Sequence, residues 1–157
     1  MAEKIINKML EEGAKKSRTP KFYHSKIENG VLIKFDNRDL TKTGHFVVPK
    51  GVTRIGTFAF AHSAIKSVGL PVSLKRIDDY AFYWCKSLEK VRISSGVQSI
   101  GTAAFCVCEN LRDINCPENL IFVGKDAFKW CPVYAKMTKG VRENQVRYAR
   151  RKGVTLD

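Results

Sequence analysis

One motif returns four times along this chain, and it restricts the fold more than any other feature. Val52-Thr-Arg-Ile55-Gly56-Thr-Phe-Ala59-Phe60, Leu74-Lys-Arg-Ile77-Asp78-Asp-Tyr-Ala81-Phe82, Val97-Gln-Ser-Ile100-Gly101-Thr-Ala-Ala104-Phe105 and Leu120-Ile-Phe-Val123-Gly124-Lys-Asp-Ala127-Phe128 align at steps of 22, 23 and 23 residues. The register continues into Ser63, Cys85, Cys108 and Cys131, then Ile65, Leu88, Leu111 and Tyr134, then Val68, Val91, Ile114 and Met137. A fixed period of this length means that each unit is one supersecondary turn, too small to bury its apolar face alone and stacked on its neighbours.

Each column then acquires a physical role. The Phe60, Phe82, Phe105, Phe128 column forms an aromatic ladder inside the coil, and the Ala before each Phe lets adjacent backbones approach. Gly56, Gly101 and Gly124 follow a buried aliphatic residue where the chain bends, so a tight or left-handed backbone is expected there, with Asp78 as a tolerated substitute. Segments such as Leu88-Glu-Lys-Val91-Arg-Ile93 alternate apolar and polar residues, as a strand with one buried face does.

The pattern Val/Leu-x-x-Ile-Gly-x-x-Ala-Phe-x-x-Cys-x-x-Leu-x-x-Ile-x-Ile-Pro resembles the BspA-like class of leucine-rich repeat. The likeness spans about residues 46–137, with Phe46-Val-Val-Pro49 as the tail of a degenerate preceding unit. It implies an α/β repeat fold: a right-handed solenoid of about four repeats, with a short parallel sheet on one face and irregular or short helical turns on the other. It also implies an interaction module; many such proteins lie on bacterial or protist surfaces.

A short stack must close both ends. In residues 1–45, Ile5, Ile6, Met9 and Leu10 have the spacing of a short amphipathic capping helix, and Val31-Leu-Ile-Lys-Phe35 reads as a strand between turns. In residues 138–157, Glu143 and Arg147 form a helical i,i+4 pair, and a short basic helix is expected.

Charge becomes informative once it is resolved by segment. The formal net charge of +13 divides into +4 over residues 1–45 (ten basic, six acidic), +5 over 46–137 (twelve and seven) and +4 over 138–157 (six and two). The flanks therefore carry concentrated basic runs, Lys15, Lys16, Arg18 and Lys21 at one end and Lys139, Arg142, Arg147, Arg150, Arg151 and Lys152 at the other. These runs define one reading, a nucleic-acid-associated protein or an accessory of a nucleoprotein complex, with Tyr148 beside the cations. The other reading is a protein partner on the concave sheet, whose outward positions are His45 and Val47, Ser67 and Gly69, Lys90 and Arg92, Asp113 and Asn115, Lys136 and Thr138. That mixture is polar without being uniformly basic, which favours protein over a phosphate track.

Chemistry is not encoded in any recognisable constellation. Cys85, Cys108 and Cys131 recur because the unit recurs, so they read as core rather than metal ligands, as does Cys116; Cys106 follows the Phe column at a variable position and is expected to be the most exposed thiol. His24, His45 and His62 lie in three segments, with no nucleophile marked beside any of them, and His62 shares a column with Trp84 and Trp130, where half-buried packing is expected. No enzyme activity, cofactor, metal or small-molecule substrate is implied. No export signal or spanning segment is seen and the cysteines number five, so a cytoplasmic location with reduced thiols is expected.

Overall fold

The computed structural model describes residues 24–156. The chain winds through two walls of short strands. The first is a six-stranded sheet built from β1 (Lys26–Glu28), β2 (Val31–Lys34), β4 (Arg54–Ile55), β6 (Arg76–Ile77), β8 (Ser99–Ile100) and β10 (Phe122–Val123), in that spatial order. The second is a four-stranded sheet of β3 (His45–Val47), β5 (Ser67–Gly69), β7 (Lys90–Arg92) and β9 (Asp113–Ile114). All pairings are parallel except the β1–β2 hairpin. The wall opposite the expected sheet is thus a second sheet rather than irregular turns; turns are confined to the corners.

Register follows the repeat columns. Leu32, Ile55, Ile77, Ile100 and Val123 are successive partners across the six-stranded sheet, and Phe46, Val68, Val91 and Ile114 across the four-stranded one. The coil therefore reaches back to Val31–Lys34, ahead of residue 46. Its first strand is turned by Asn29-Gly30, with φ of 49° and 74°, the left-handed pair that a tight antiparallel hairpin requires.

Between the walls the rings of Phe60, Phe82, Phe105 and Phe128 stack nearly parallel, with centroids 4.6, 4.8 and 5.3 Å apart. Phe35 extends the ladder by one ring, 4.7 Å from Phe60, and Phe46 closes on both edge-on. The spacing is that of adjacent strands, so the aromatic ladder and the sheets share one pitch.

The glycine column has a different cause from the one expected. Gly56, Gly101 and Gly124 have no left-handed φ; it is space that excludes a side chain, because a Cβ on Gly101 or Gly124 would be driven into the main-chain nitrogen of Asp79 or Thr102 of the neighbouring coil. Left-handed φ occurs instead two residues later, at Phe58, Tyr80, Ala103 and Asp126, and again at His62, Trp84, Val107 and Trp130. Asp78 is no turn substitute either: its buried carboxylate accepts from Arg54 Nε (2.5 Å) and Arg76 Nε (2.7 Å).

The thiol column is a hydrogen-bonded one. Cys85, Cys108 and Cys131 donate to the carbonyls of Phe60, Phe82 and Phe105 in the preceding coil at 3.0, 3.2 and 2.8 Å. Each sulfur thereby fills the core and satisfies a main-chain acceptor.

After the last coil the strand expected at Lys136–Thr138 is absent, and the chain enters a helix, α1 (Tyr134–Lys152). Met137 keeps its column's buried position but from the helix, whose Val141 is buried beside it. Gly140 lets α1 lie against Cys116, whose sulfur would be only 2.9 Å from a Cβ there. Gly153, at φ 66°, ends the helix with its N–H directed to the Ala149 and Arg150 carbonyls. The helix expected over residues 3–12 and the cations Lys15, Lys16, Arg18 and Lys21 lie outside the described residues.

Candidate functional site

The four-stranded sheet presents two outward rows. His45, Ser67, Lys90 and Asp113 are register partners in the first; Val47, Gly69 and Arg92 are partners in the second. Parallel pairing stacks these positions one coil apart, so every side chain meets its equivalent from the next unit.

Much of the face is satisfied internally. His45 Nδ1 and Ser67 Oγ are 2.7 Å apart. Arg92 grips Asp113 through both guanidinium nitrogens at 2.7 and 2.8 Å, and Lys90 approaches the same carboxylate at 3.5 Å. The Arg92 guanidinium holds the Asp113 carboxyl below its usual range, and the carboxylate raises Arg92 in return. Two cations thus share one anion, and the row carries a small positive excess.

Asn115 turns its amide inward, accepting from the Ile93 N–H (2.7 Å) and donating to the Ile93 carbonyl (2.8 Å), so it continues the ladder as a strand residue would. Lys136, expected on this face, sits in the first turn of α1, where its ammonium donates to the Ile114 carbonyl at 2.6 Å and caps the sheet edge. Val47 supplies an apolar spot, 49% exposed and packed over Gly69. His45, Ser67, Lys90, Arg92 and Asp113 are therefore brought together, while Asn115 and Lys136 serve the edges.

The turn corners carry a surface of stacked rings and cations. Phe58 stacks on Tyr80 (4.9 Å), His62 on Trp84 (6.0 Å), and Lys86 and Lys129 lie over the Trp84 and Trp130 rings at 4.7 and 5.0 Å. His62 is exposed rather than half-buried. The signal was present in the aligned columns two residues after Gly and two after Phe, which hold aromatic residues in several units.

Cys106 is buried, not exposed: it packs with Ala103 and Val107 beneath Tyr80 and Tyr83. Cys116 is the least buried of the five free thiols. Among the described residues no group of three His, Cys, Asp or Glu side chains could hold a metal. Ser25, Asp39 and His24 meet, but the hydroxyl and the imidazole both address the buried carboxylate (2.5 and 3.0 Å), an arrangement that anchors β1 rather than one that activates a nucleophile.

The basic C-terminal run lies on α1. Arg147 reaches Glu118 and Glu143 at 3.8 and 4.0 Å, whereas Lys139, Arg142, Arg150, Arg151 and Lys152 are exposed and form no ion pair among the described residues. Tyr148 is 47% exposed.

In-register coils of 22–23 residues, walled by parallel strands and closed by a helix, define a leucine-rich-repeat solenoid. The chain belongs to the BspA type leucine rich repeat family, whose repeat region matches residues 33–141 in six copies. Among solved structures it is similar to a leucine rich cell surface protein from Faecalibacterium prausnitzii A2-165, at 32% identity over 63% of this chain with a TM-score of 0.58. The chain spans 26% of the length of that protein. No curated protein sequence matches it. Among the described residues no helix is long and apolar enough to cross a membrane.

Proposed function

We propose that this protein is a non-enzymatic interaction module that binds a protein partner through the outer face of its four-stranded sheet. The observation that carries this reading is the in-register row His45, Ser67, Lys90 and Asp113 beside exposed Val47, held in place by its own hydrogen bonds and so pre-organised for a partner. Family membership supports the same class. Affinity capture from the native host tests it: the captured partner should be lost when Lys90 and Arg92 are both reversed to Glu, and again with V47D, which leaves the charges intact. Capture undiminished by both variants refutes the face.

A second reading, a polyanion partner, is supported by Lys139, Arg142, Arg150, Arg151 and Lys152 of α1, which are exposed and form no ion pair among the described residues. It requires binding to oligonucleotides that falls steeply with salt and with reversal of Arg142 and Arg150. Retention on mixed single- and double-stranded nucleic acid at no salt concentration would end it. As to location, the free thiols support a reducing compartment, in contrast with the cell-surface description of the F. prausnitzii protein. Protease accessibility on intact host cells separates the two.

A further inference from the structure

The solenoid's two ends are not closed equally. Within the stack, the carbonyls of Leu32, Ile55, Ile77 and Ile100 accept from Gly56, Asp78, Gly101 and Gly124 of the following coil. At the corners the direction reverses: Tyr80, Phe82 and Trp84 donate forward to Thr102, Ala104 and Cys106, and Ala103, Phe105 and Val107 donate forward to Lys125, Ala127 and Lys129. In the last coil these positions are held by the Val123 carbonyl and by the N–H groups of Asp126, Phe128 and Trp130, with no coil beyond them among the described residues.

α1 closes only part of that end. Its side chains cap the main-chain carbonyls of Ile114 (Lys136), Pro117 and Leu120 (Asn144) and Ile121 (Gln145), and the capping stops there. Beyond Ile121 a groove of about 410 Å³ runs between the last coil and α1, lined by Val123, Phe128, Met137 and Val141 and by the charged Asp126 and Arg142. β10, the open edge strand, also carries Phe122 at 60% exposure. An open strand edge continued by corner N–H groups, beside a groove whose apolar floor of Phe128, Met137 and Val141 is buried, is an arrangement to which a further backbone segment can be added.

Charge decides the occupant. Asp126 is held by Lys129 at 3.8 Å, Arg142 has no ion-pair partner among the described residues, and Lys125 and Lys139 adjoin the lining residues in sequence. Four cations against two acids, Asp126 and Glu143, leave the edge net positive, which disfavours a second copy of it and favours an acidic strand. We propose that this groove receives an extended acidic peptide segment of a partner protein, which pairs its backbone with Val123, Asp126, Phe128 and Trp130 and sets its carboxylates against Arg142 and Lys139. This site is separate from the outer face of the four-stranded sheet and does not depend on it.

The test uses the full chain and a synthetic peptide alternating Asp with Val, with fluorescence anisotropy and amide hydrogen exchange as readouts. Saturable binding is expected, with exchange slowed at Asp126, Phe128 and Trp130. Replacing alternate peptide amides by esters, which weakens their carbonyls as acceptors and leaves the charge unchanged, should weaken binding at least about ten-fold, or about 1.4 kcal/mol. R142E should weaken it by a similar factor, whereas K90E, on the sheet face, should leave it unchanged. The proposal is overturned by equal binding of the ester-substituted peptide, by slowed exchange confined to other amides, or by no saturation up to about 1 mM peptide. It is equally overturned if the chain alone protects these amides as its concentration rises, or if an oligonucleotide protects them and the peptide does not.

Discussion

Removing one ring from the middle of the aromatic ladder should divide the solenoid, not merely weaken it. Phe105 is fully buried and stacked between Phe82 at 4.8 Å and Phe128 at 5.3 Å, so Phe105→Ala deletes contacts to both neighbouring coils. A core Phe→Ala change costs about 3–5 kcal/mol, against a total stability of about 5–15 kcal/mol for a domain. Phe128 has a ring neighbour on one side only, and Phe128→Ala should cost less by one stacked pair, about 1 kcal/mol. With a urea slope of about 2 kcal/mol per molar, that difference separates the two midpoints by about 0.5 M. The chain's two tryptophans lie on opposite sides of the lesion, Trp84 in the coil before Phe105 and Trp130 in the coil after it. Urea unfolding followed by fluorescence in W84F and W130F backgrounds therefore reads each side separately. In the parent chain the transitions should coincide; in Phe105→Ala the Trp130 signal should be lost at lower urea than the Trp84 signal, because nearest-neighbour coupling has been cut between them. Coincident transitions in that variant, together with a midpoint equal to that of Phe128→Ala, would refute the ladder as the carrier of coupling.

The two classes of glycine separate in thermal melts. Gly101→Ala should be the more costly, about 1–3 kcal/mol, because the new methyl meets backbone, while Gly153→Ala, with open space but φ at 66°, should cost about 1 kcal/mol and fray only the end of α1. Under mass-spectrometric alkylation, Cys116 should be modified first and Cys106 should stay protected with the core thiols; burial raises the Cys116 thiol, so its rate should still be climbing above pH 9. Asp113, held low by Arg92, should remain ionised as pH falls through the ordinary carboxylate range, with the pair lost only below it. In Arg92→Ala its carboxyl resonance should titrate at higher pH, and an unmoved titration would mean that the pair does not form in solution.

What the sequence disclosed was whatever repeats as a buried side chain. The Ile55 and Phe60 columns announced their register because water excludes them in every unit alike. The backbone at the corners was not legible, since nothing in the chemistry of Phe58, Trp84 or β-branched Val107 favours a positive φ; the stacking of coils imposes it. Tyr134 and Met137 continued their columns faithfully and yet lie on a helix, because spacing by three satisfies a helical face as well as a coil. The burial of Cys106 is not legible in its own unit because its cover, Tyr80 and Tyr83, comes from a neighbouring coil, 23–26 residues away in sequence. The sheet-face residues were found through the alternation of β3, β5, β7 and β9, but their mutual pairing depends on side-chain reach across coils, which no single unit records.

The closing helix has a consequence for how such a chain changes length. Lys136 and Gln145 address only main-chain carbonyls, which every coil supplies in the same places whatever its side chains, while Asn144 also donates to the Cys116 sulfur and Arg147 reaches Glu118. A terminator that reads main-chain carbonyls together with Cys116 and Glu118 is matched to the last coil itself and to no unit above it. Duplication or loss of one whole repeat upstream would deliver a chemically equivalent edge to the same helix, so the number of coils can vary without any compensating change in the segment that ends them.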